Sequence, residues 1–162
     1  LGIIEGTFNN EKLYTKVISD DEMFIVTSPN YPFVVDKTKV RSIRQLKDEM
    51  WILREKGSGT RQSAEKLFDM YNFSPKKIME LGSTQLIKEA VKEGLGISLL
   101  SKWAIADERN LGNISTIRVL EMPFKRTFSI VTHTLYQTKT VRTFIELLMA
   151  TVEDLEEKMD VQ

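Results

Sequence analysis

Glycine and hydroxyl residues cluster between an apolar run and a helical pattern in the segment MWILREKGSGTRQSAEKLF. The run Met50 to Leu53 is typical of a buried strand, and Ser58, Gly59 and Thr60 follow it before a helical pattern begins. Free backbone N–H groups in the first turn of a helix point at an incoming ligand, and the helix dipole favours negative charge there. The segment therefore predicts an anion-binding loop. Ordinary helix capping by the same residues is the alternative interpretation.

Two arginines flank this loop and are candidate counter-ions for a bound anion. Arg54 follows the apolar run directly, and Arg61 comes just after the loop. A guanidinium forms charge-assisted hydrogen bonds to a carboxylate, phosphate or sulfate. Because Arg61 lies inside the predicted helix, we expect its side chain to point to solvent. Arg54 is therefore favoured as the counter-ion.

A second loop between a predicted strand and a predicted helix repeats the pattern in the segment MELGSTQLIKEAV, where Gly82, Ser83 and Thr84 follow the apolar residues. In an open parallel sheet, the carboxyl ends of neighbouring strands face one crevice, where ligands usually bind. We therefore expect the two hydroxyl-bearing helix N-termini to converge. N-capping by Ser83 or by Thr84 is again the alternative.

Most metal and covalent chemistry is excluded by the residue types. The chain has no cysteine and a single histidine, His133, so disulfides, thiolate metal sites and a Cys nucleophile are ruled out. His133 has no serine motif of the hydrolase type to accompany it. The adjacent acids Asp20, Asp21 and Glu22 precede an apolar run, and we interpret them as a solvated turn. We predict no catalytic residue, no metal and no cofactor.

The overall charge and hydropathy restrict the class of protein further. The 162 residues contain 23 Lys+Arg and 23 Asp+Glu, so these charges cancel. The chain therefore lacks the strong positive charge that sequence-independent nucleic-acid binding needs. No apolar run approaches the ~18 residues needed to cross a bilayer, and no signal-peptide pattern is visible. The sequence predicts a cytoplasmic protein without membrane contact. Because it begins at Leu1, within a run typical of a buried strand, we expect it to be a fragment.

Apolar runs alternate with amphipathic helical patterns, which predicts an α/β fold with a largely parallel sheet. The predicted strands are Leu1 to Ile4, Met23 to Val26, Met50 to Leu53, a strand ending at Leu81, Gly96 to Leu100, Ile114 to Leu120 and Phe128 to Val131. Helices are predicted after Ser42, from Ser58–Thr60 to a point before Pro75, from Ser83 or Thr84 to Gly94, and from about Thr140. The acidic end of the last helix is interpreted as solvated, with contact to a partner as the alternative.

Five segments together resemble the effector-binding domain of LysR-type transcriptional regulators in order and spacing: LGIIEG, MFIVTSPNYPF, WILREKGSGTR, LGSTQLIKEAVKEGLGISLLS and FSIVTHT. The resemblance covers residues 1 to about 150. It implies an architecture like that of type II periplasmic binding proteins, with two α/β lobes joined by two crossover strands. The first lobe would comprise residues 1–27 and 123–162, incomplete at its N-terminus, and the second lobe residues 28–122.

The resemblance also implies a function and a set of binding residues. Members of this family bind DNA through an N-terminal winged helix-turn-helix, which this chain does not contain, and hold a small effector in the cleft between the lobes. Carried onto this chain, the effector-binding positions are Glu5, Gly6, Arg54, Ser58, Gly59, Thr60, Ser83 and Thr84. We expect an anionic effector, no enzymatic activity, and a homodimer or homotetramer when full length. The alternatives are a solute-binding protein of a transport system and an α/β enzyme with a phosphate-binding loop.

Overall fold

The computed structural model of the chain describes residues 1–5, 10–35, 41–134 and 138–160. The chain divides into two compact units, one formed by Leu1–Asp21 with Arg126–Gln162 and the other by Glu22–Lys125. Both boundaries fall inside long strands, β2 (Leu13–Thr27) and β7 (Phe124–His133). The chain therefore passes from one unit to the other twice in extended conformation.

The first unit is built on strands of one sheet, in which β7 lies between β2 and a short first strand. β1 (Gly2–Glu5) pairs with β7, with Gly2 opposite Val131 and Glu5 opposite Phe128. Helix α5 (Lys139–Asp160) follows β7 along the chain. Among the residues that the structure describes in this unit, Ile130 is the one fully buried apolar side chain. The main hydrophobic core therefore lies in the second unit.

The second unit contains most of the helices and four further strands. Its helices are α1 (Pro32–Val35), a 3₁₀ turn (Ile43–Leu46), α2 (Gly59–Met70), α3 (Thr84–Lys92) and α4 (Ala106–Asn110). Its strands, in addition to the second half of β2, are β3 (Met50–Arg54), β4 (Lys77–Leu81), β5 (Ser98–Ser101) and β6 (Ser115–Thr116). The α/β class predicted from the sequence is confirmed.

Three strands of the second unit run in the same direction and end at one edge. β3 and β4 form a parallel pair in which Arg54 lies opposite Leu81. β5 runs parallel to β3 from a bridge between Trp51 and Ile97. The carboxyl ends of β3, β4 and β5 therefore lie side by side, which is the arrangement that brings together the residues following each strand.

The expectation of a largely parallel sheet is wrong. The ladders of β1 with β7, of β2 with β5 and of β2 with β6 are all antiparallel. In the second of these ladders Met23 lies opposite Ser101, so β2 enters the second unit beside the end of β5. The prediction failed because an apolar run shows that a strand is buried but does not encode the direction in which it crosses its neighbour.

Helices α2 and α3 cover opposite faces of β3, because successive side chains of a strand point to opposite faces. Trp51 faces α2, where its ring packs edge-on against Phe68 at 4.9 Å and lies 5.6 Å from Phe73 between centroids. The next residue, Ile52, belongs to the cluster on the other face with Ile87 of α3. The two helices therefore begin at the same edge, one on each side of β3.

Two other sequence interpretations need correction. β2 begins at Leu13, well before the apolar run at Met23, because its first half is a polar stretch that carries no clear period. The acids Asp20, Asp21 and Glu22 consequently lie within β2 and not in a solvated turn, and Asp21 is fully buried. The predicted strand Ile114 to Leu120 is reduced to β6, with a separate bridge between Arg41 and Val119.

Candidate functional site

The loop before α2 forms a capped helix N-terminus. Ser58 is the N-cap, and its Oγ accepts a hydrogen bond from the backbone N–H of Arg61 at 3.2 Å. Gly57, just before it, has a φ of +94°, a conformation that side-chain-bearing residues rarely adopt. Gly59 and Thr60 form the start of the helix and are only partly exposed. The oxygen of the Ser58 hydroxyl thus accepts the capping hydrogen bond, while the hydrogen of the same hydroxyl can still be donated to a ligand.

The loop before α3 has the same construction. Ser83 is the N-cap and accepts from the backbone N–H of Leu86 at 3.2 Å, so of the two candidate caps it is Ser83 that acts. Thr84 does not cap the helix. Its Oγ1 instead accepts a hydrogen bond from Nη1 of Arg54 at 3.2 Å. Arg54 therefore links the end of β3 to the first residue of α3.

Arg54 is already paired with a carboxylate of its own chain. Its Nε and Nη2 lie 2.7 Å from the two carboxylate oxygens of Glu55. This hydrogen bonding from Arg54 lowers the pKa of Glu55 to about 2. An anionic ligand at Arg54 would have to share the guanidinium with Glu55 or displace it.

Arg61 does not point to solvent, and that prediction is wrong. It is only 8% exposed, with its Nε 2.7 Å from Glu65 Oε1. Its Nη1 donates to the carbonyl of Arg54 at 3.2 Å and lies 3.5 Å from Glu80 Oε2. The side chain folds back toward β3 and β4 because backbone and carboxylate acceptors are within its reach there. Arg61 thus stabilises the loop through its hydrogen bond to the Arg54 carbonyl and is not a free counter-ion.

The end of β5 belongs to the same edge and was missed by the sequence analysis. Ser101 ends the strand, and its Oγ accepts from the backbone N–H of Trp103 at 3.1 Å. Between them, Lys102 donates its backbone N–H to the carbonyl of Glu22 at 2.8 Å. In the sequence, the apolar run GISLL is followed by Ser101, which carries a hydroxyl, and by Lys102, which carries a positive charge. This signal was overlooked because no helical pattern follows it directly.

Glu5 and Gly6 are the predicted site residues of the first unit. Glu5 ends β1, and its carboxylate lies 2.6 Å from Nη1 of Arg126. Gly6 lies outside the described residues. Within the described ranges, no three His, Cys, Asp or Glu side chains are grouped as they would be to hold a metal ion. No described helix is long and apolar enough to span a membrane.

A family model for the LysR substrate binding domain matches residues 1–153. The chain belongs to the LysR substrate-binding domain family. The resemblance found in the sequence is thereby confirmed, and so is the fold class, since solved structures that superpose on this LysR domain are effector-binding or regulatory domains of that family.

Relatives of this LysR domain are named as transcriptional regulators and not as enzymes. The HTH-type transcriptional regulator CysL of Bacillus subtilis is 33% identical over 149 residues, which cover 91% of this chain and 49% of that protein. The HTH-type transcriptional activator CmpR of Synechocystis is 33% identical over 132 residues, which cover 81% of this chain and 43% of that protein. The chain thus spans about half the length of these relatives.

Solved structures of LysR domains include complexes with small molecules. The regulatory domain of CcmR from Synechocystis, in complex with 2-PG, is 28% identical with a TM-score of 0.82, covering 93% of this chain and 72% of that one. The effector binding domain of QuiR, in complex with shikimate, has a TM-score of 0.76 over 94% of this chain and 71% of that one. Its 18% identity supports the shared fold alone.

Proposed function

We propose that this LysR domain senses a small anionic effector for a DNA-binding transcriptional regulator. The proposed binding residues in the second unit are Arg54, Ser58, Gly59, Thr60, Ser83 and Thr84. Family membership supports a binding role, and the two capped helix N-termini at one edge support the anionic character of the ligand. Binding without catalysis agrees with relatives that are named as regulators.

One observation within the chain carries the argument for an anion. At the 3₁₀ turn, Ser42 is an N-cap whose Oγ accepts from the backbone N–H of Arg44 and also donates to the Glu121 carboxylate at 2.8 Å. The backbone N–H of Ile43 donates to the other oxygen of Glu121 at 3.1 Å. A capping serine of this protein thus holds a carboxylate while it caps. Capping and anion binding by Ser58 and Ser83 are therefore compatible, and the two interpretations need not compete.

Two domains that share this fold are in complexes with small molecules that carry a carboxylate. Benzoate, in a complex of the BenM effector binding domain, and shikimate, in a complex of QuiR, are both carboxylates. These ligands belong to those proteins, and the effector of this chain is proposed only by class. Glu5 and Gly6 stay predicted contributors from the first unit.

The test is calorimetric titration of the full-length protein with a panel of 2-PG, benzoate, shikimate and inorganic sulfate. We expect at least one of these anions to bind. Ser83→Ala and Thr60→Val should each weaken that binding by about tenfold, the loss of one hydrogen bond to a charged group.

The matched control is Ser42→Ala, which removes an N-cap serine at a different helix terminus. All three variants are compared by thermal melting, because loss of a serine cap alone costs about 1 kcal/mol of stability. Ser42→Ala should lower stability and leave the affinity unchanged. If Thr60→Val and Ser83→Ala bind the anion as tightly as the wild type, the site assignment is wrong.

The role of the whole protein extends this proposal. We infer that a winged helix-turn-helix outside this chain binds DNA, that the full-length protein is a homodimer or homotetramer, and that it works in the cytoplasm. Effector control of DNA binding needs two states that differ in their affinity for the ligand. Sedimentation of the full-length protein with and without effector tests the assembly, and a monomer at micromolar concentration in both cases would refute it.

A further inference from the structure

Lys102 lies at the same sheet edge as the two capped helices, although no sequence motif singled it out. It follows β5 directly, and β5 runs parallel to β3 from the bridge between Trp51 and Ile97. The antiparallel ladder with β2 places Ser101 opposite Met23, next to Glu22. Lys102 therefore stands one strand away from the end of β3, where Arg54 lies.

The cations at this edge differ in how completely their charges are neutralised. Arg54 makes two contacts of 2.7 Å with Glu55, and Arg61 is largely buried against Glu65. Lys102 Nζ, by contrast, lies 4.0 Å from a carboxylate oxygen of Glu22, with both side chains about one-third exposed. An ion pair at this distance and exposure contributes little. Of these three cations, Lys102 is the one whose charge is least compensated.

The surroundings hold Lys102 in place without cancelling its charge. Its Nζ lies 5.5 Å from the ring centroid of Trp103, in the range of a cation–π contact. Its backbone is fixed by the hydrogen bond to the carbonyl of Glu22. The ring attracts the ammonium through its quadrupole, but it carries no net charge. The ammonium is thus positioned and still able to bind an anion.

We propose that Lys102 supplies the positive charge that binds the anionic group of the effector, and that the contribution of Arg54 to the proposed site is to hold Thr84 in position. This inference rests on the proposed function and names the charge-recognising residue of that site. Both arginines predicted from the sequence already use their guanidinium groups on Glu55, Glu65 and backbone or hydroxyl oxygens. Lys102 would exchange a weak contact with Glu22 for a contact with the ligand, which costs less than breaking a bidentate pair.

The experiment is a titration of the full-length protein with 2-PG, benzoate, shikimate and inorganic sulfate at low and high ionic strength. For the anion that binds, Lys102→Gln should weaken binding by about tenfold or more and flatten its dependence on salt, because one charge–charge contact is lost. Lys102→Arg, which keeps the charge, should retain part of the affinity. Thermal melting shows that each variant is folded.

The matched control is Lys92→Gln, which removes a lysine from the last turn of α3, where Nζ lies 2.8 Å from Glu89. Its affinity and salt dependence should equal those of the wild type. If the wild type binds none of the four anions, the proposed function itself fails. If the wild type binds one of them and Lys102→Gln binds it equally well with the same salt dependence, the inference about Lys102 is overturned while the proposed function stands.

Discussion

Arg126 on β7 donates from Nε to Oδ2 of the fully buried Asp21 on β2 over 2.7 Å. The same guanidinium lies 2.6 Å from Glu5 and 5.0 Å from the ring centroid of Phe128. A buried carboxylate needs such a partner, because an uncompensated charge inside a protein is costly. The ion pair with Arg126 therefore explains how Asp21 can be buried within β2, although the sequence predicted a solvated turn at this position.

Replacing Asp21 should destabilise the protein much more than replacing its neighbour. Asp21→Ala removes the buried partner of Arg126, and we expect a loss of about 3 kcal/mol in the free energy of unfolding. Urea denaturation followed by circular dichroism measures it. The control is Asp20→Ala, which removes an exposed acid from the same run and should change stability by no more than about 0.5 kcal/mol. Similar losses in the two variants would contradict a structural role for the Asp21–Arg126 pair.

The contact between α3 and α4 predicts a pH dependence of stability. Lys88 Nζ lies 2.6 Å from Glu108 Oε1, with both side chains largely buried. Burial of the Glu108 carboxyl acts to raise its pKa, but the hydrogen bond from Lys88, a backbone hydrogen bond and the positive charges of Lys88 and Lys92 together outweigh burial, so the pKa lies below its ordinary value of 4.5. The pair therefore stabilises the fold above about pH 4.5, and this contribution is lost as the pH falls through the lowered pKa of the folded state.

Urea unfolding measured from neutral pH down to about pH 3 tests this prediction. In Glu108→Gln, the free energy of unfolding should fall less steeply on the acid side than in the wild type. The exposed Glu11 supplies the control, because Glu11→Gln should leave the slope unchanged. A slope for Glu108→Gln equal to that of the wild type would show that the pair does not contribute.

At Gly96 the backbone lies so close to the backbone of Met50 that we expect no side chain to be tolerated there. A Cβ added at Gly96 would lie 2.3 Å from the carbonyl oxygen of Met50, which also accepts the backbone N–H of Ile97 at 2.8 Å. Gly96→Ala should therefore cost at least about 2 kcal/mol in the free energy of unfolding. At Gly82 an added Cβ meets nothing within 4 Å, so Gly82→Ala should be well tolerated. Equal thermal stability of the two variants would refute the close approach.

Much of the local structure could be predicted from the sequence alone. The capping serines Ser42, Ser58 and Ser83 all act as N-caps, and α5 begins at Lys139, next to the expected Thr140. Such features depend on residues within one or two turns of each other, so their signal is contained in a short stretch of chain. The order of the segments likewise sufficed to recognise the family.

The partners of the charged side chains were decided only by the tertiary structure. Arg54 reaches Thr84 across 30 positions of sequence, and Asp21 meets Arg126 across 105. The local pattern around Arg61 predicted a solvent-facing side chain, but the neighbouring strands supply acceptors that draw it inward. Strand direction and charge pairing depend on groups far apart in the chain, which become neighbours only when strands assemble in a particular register. That is why the sequence located the two loops that cap α2 and α3, whereas the ion-pair partners of the cations near them followed only from the fold.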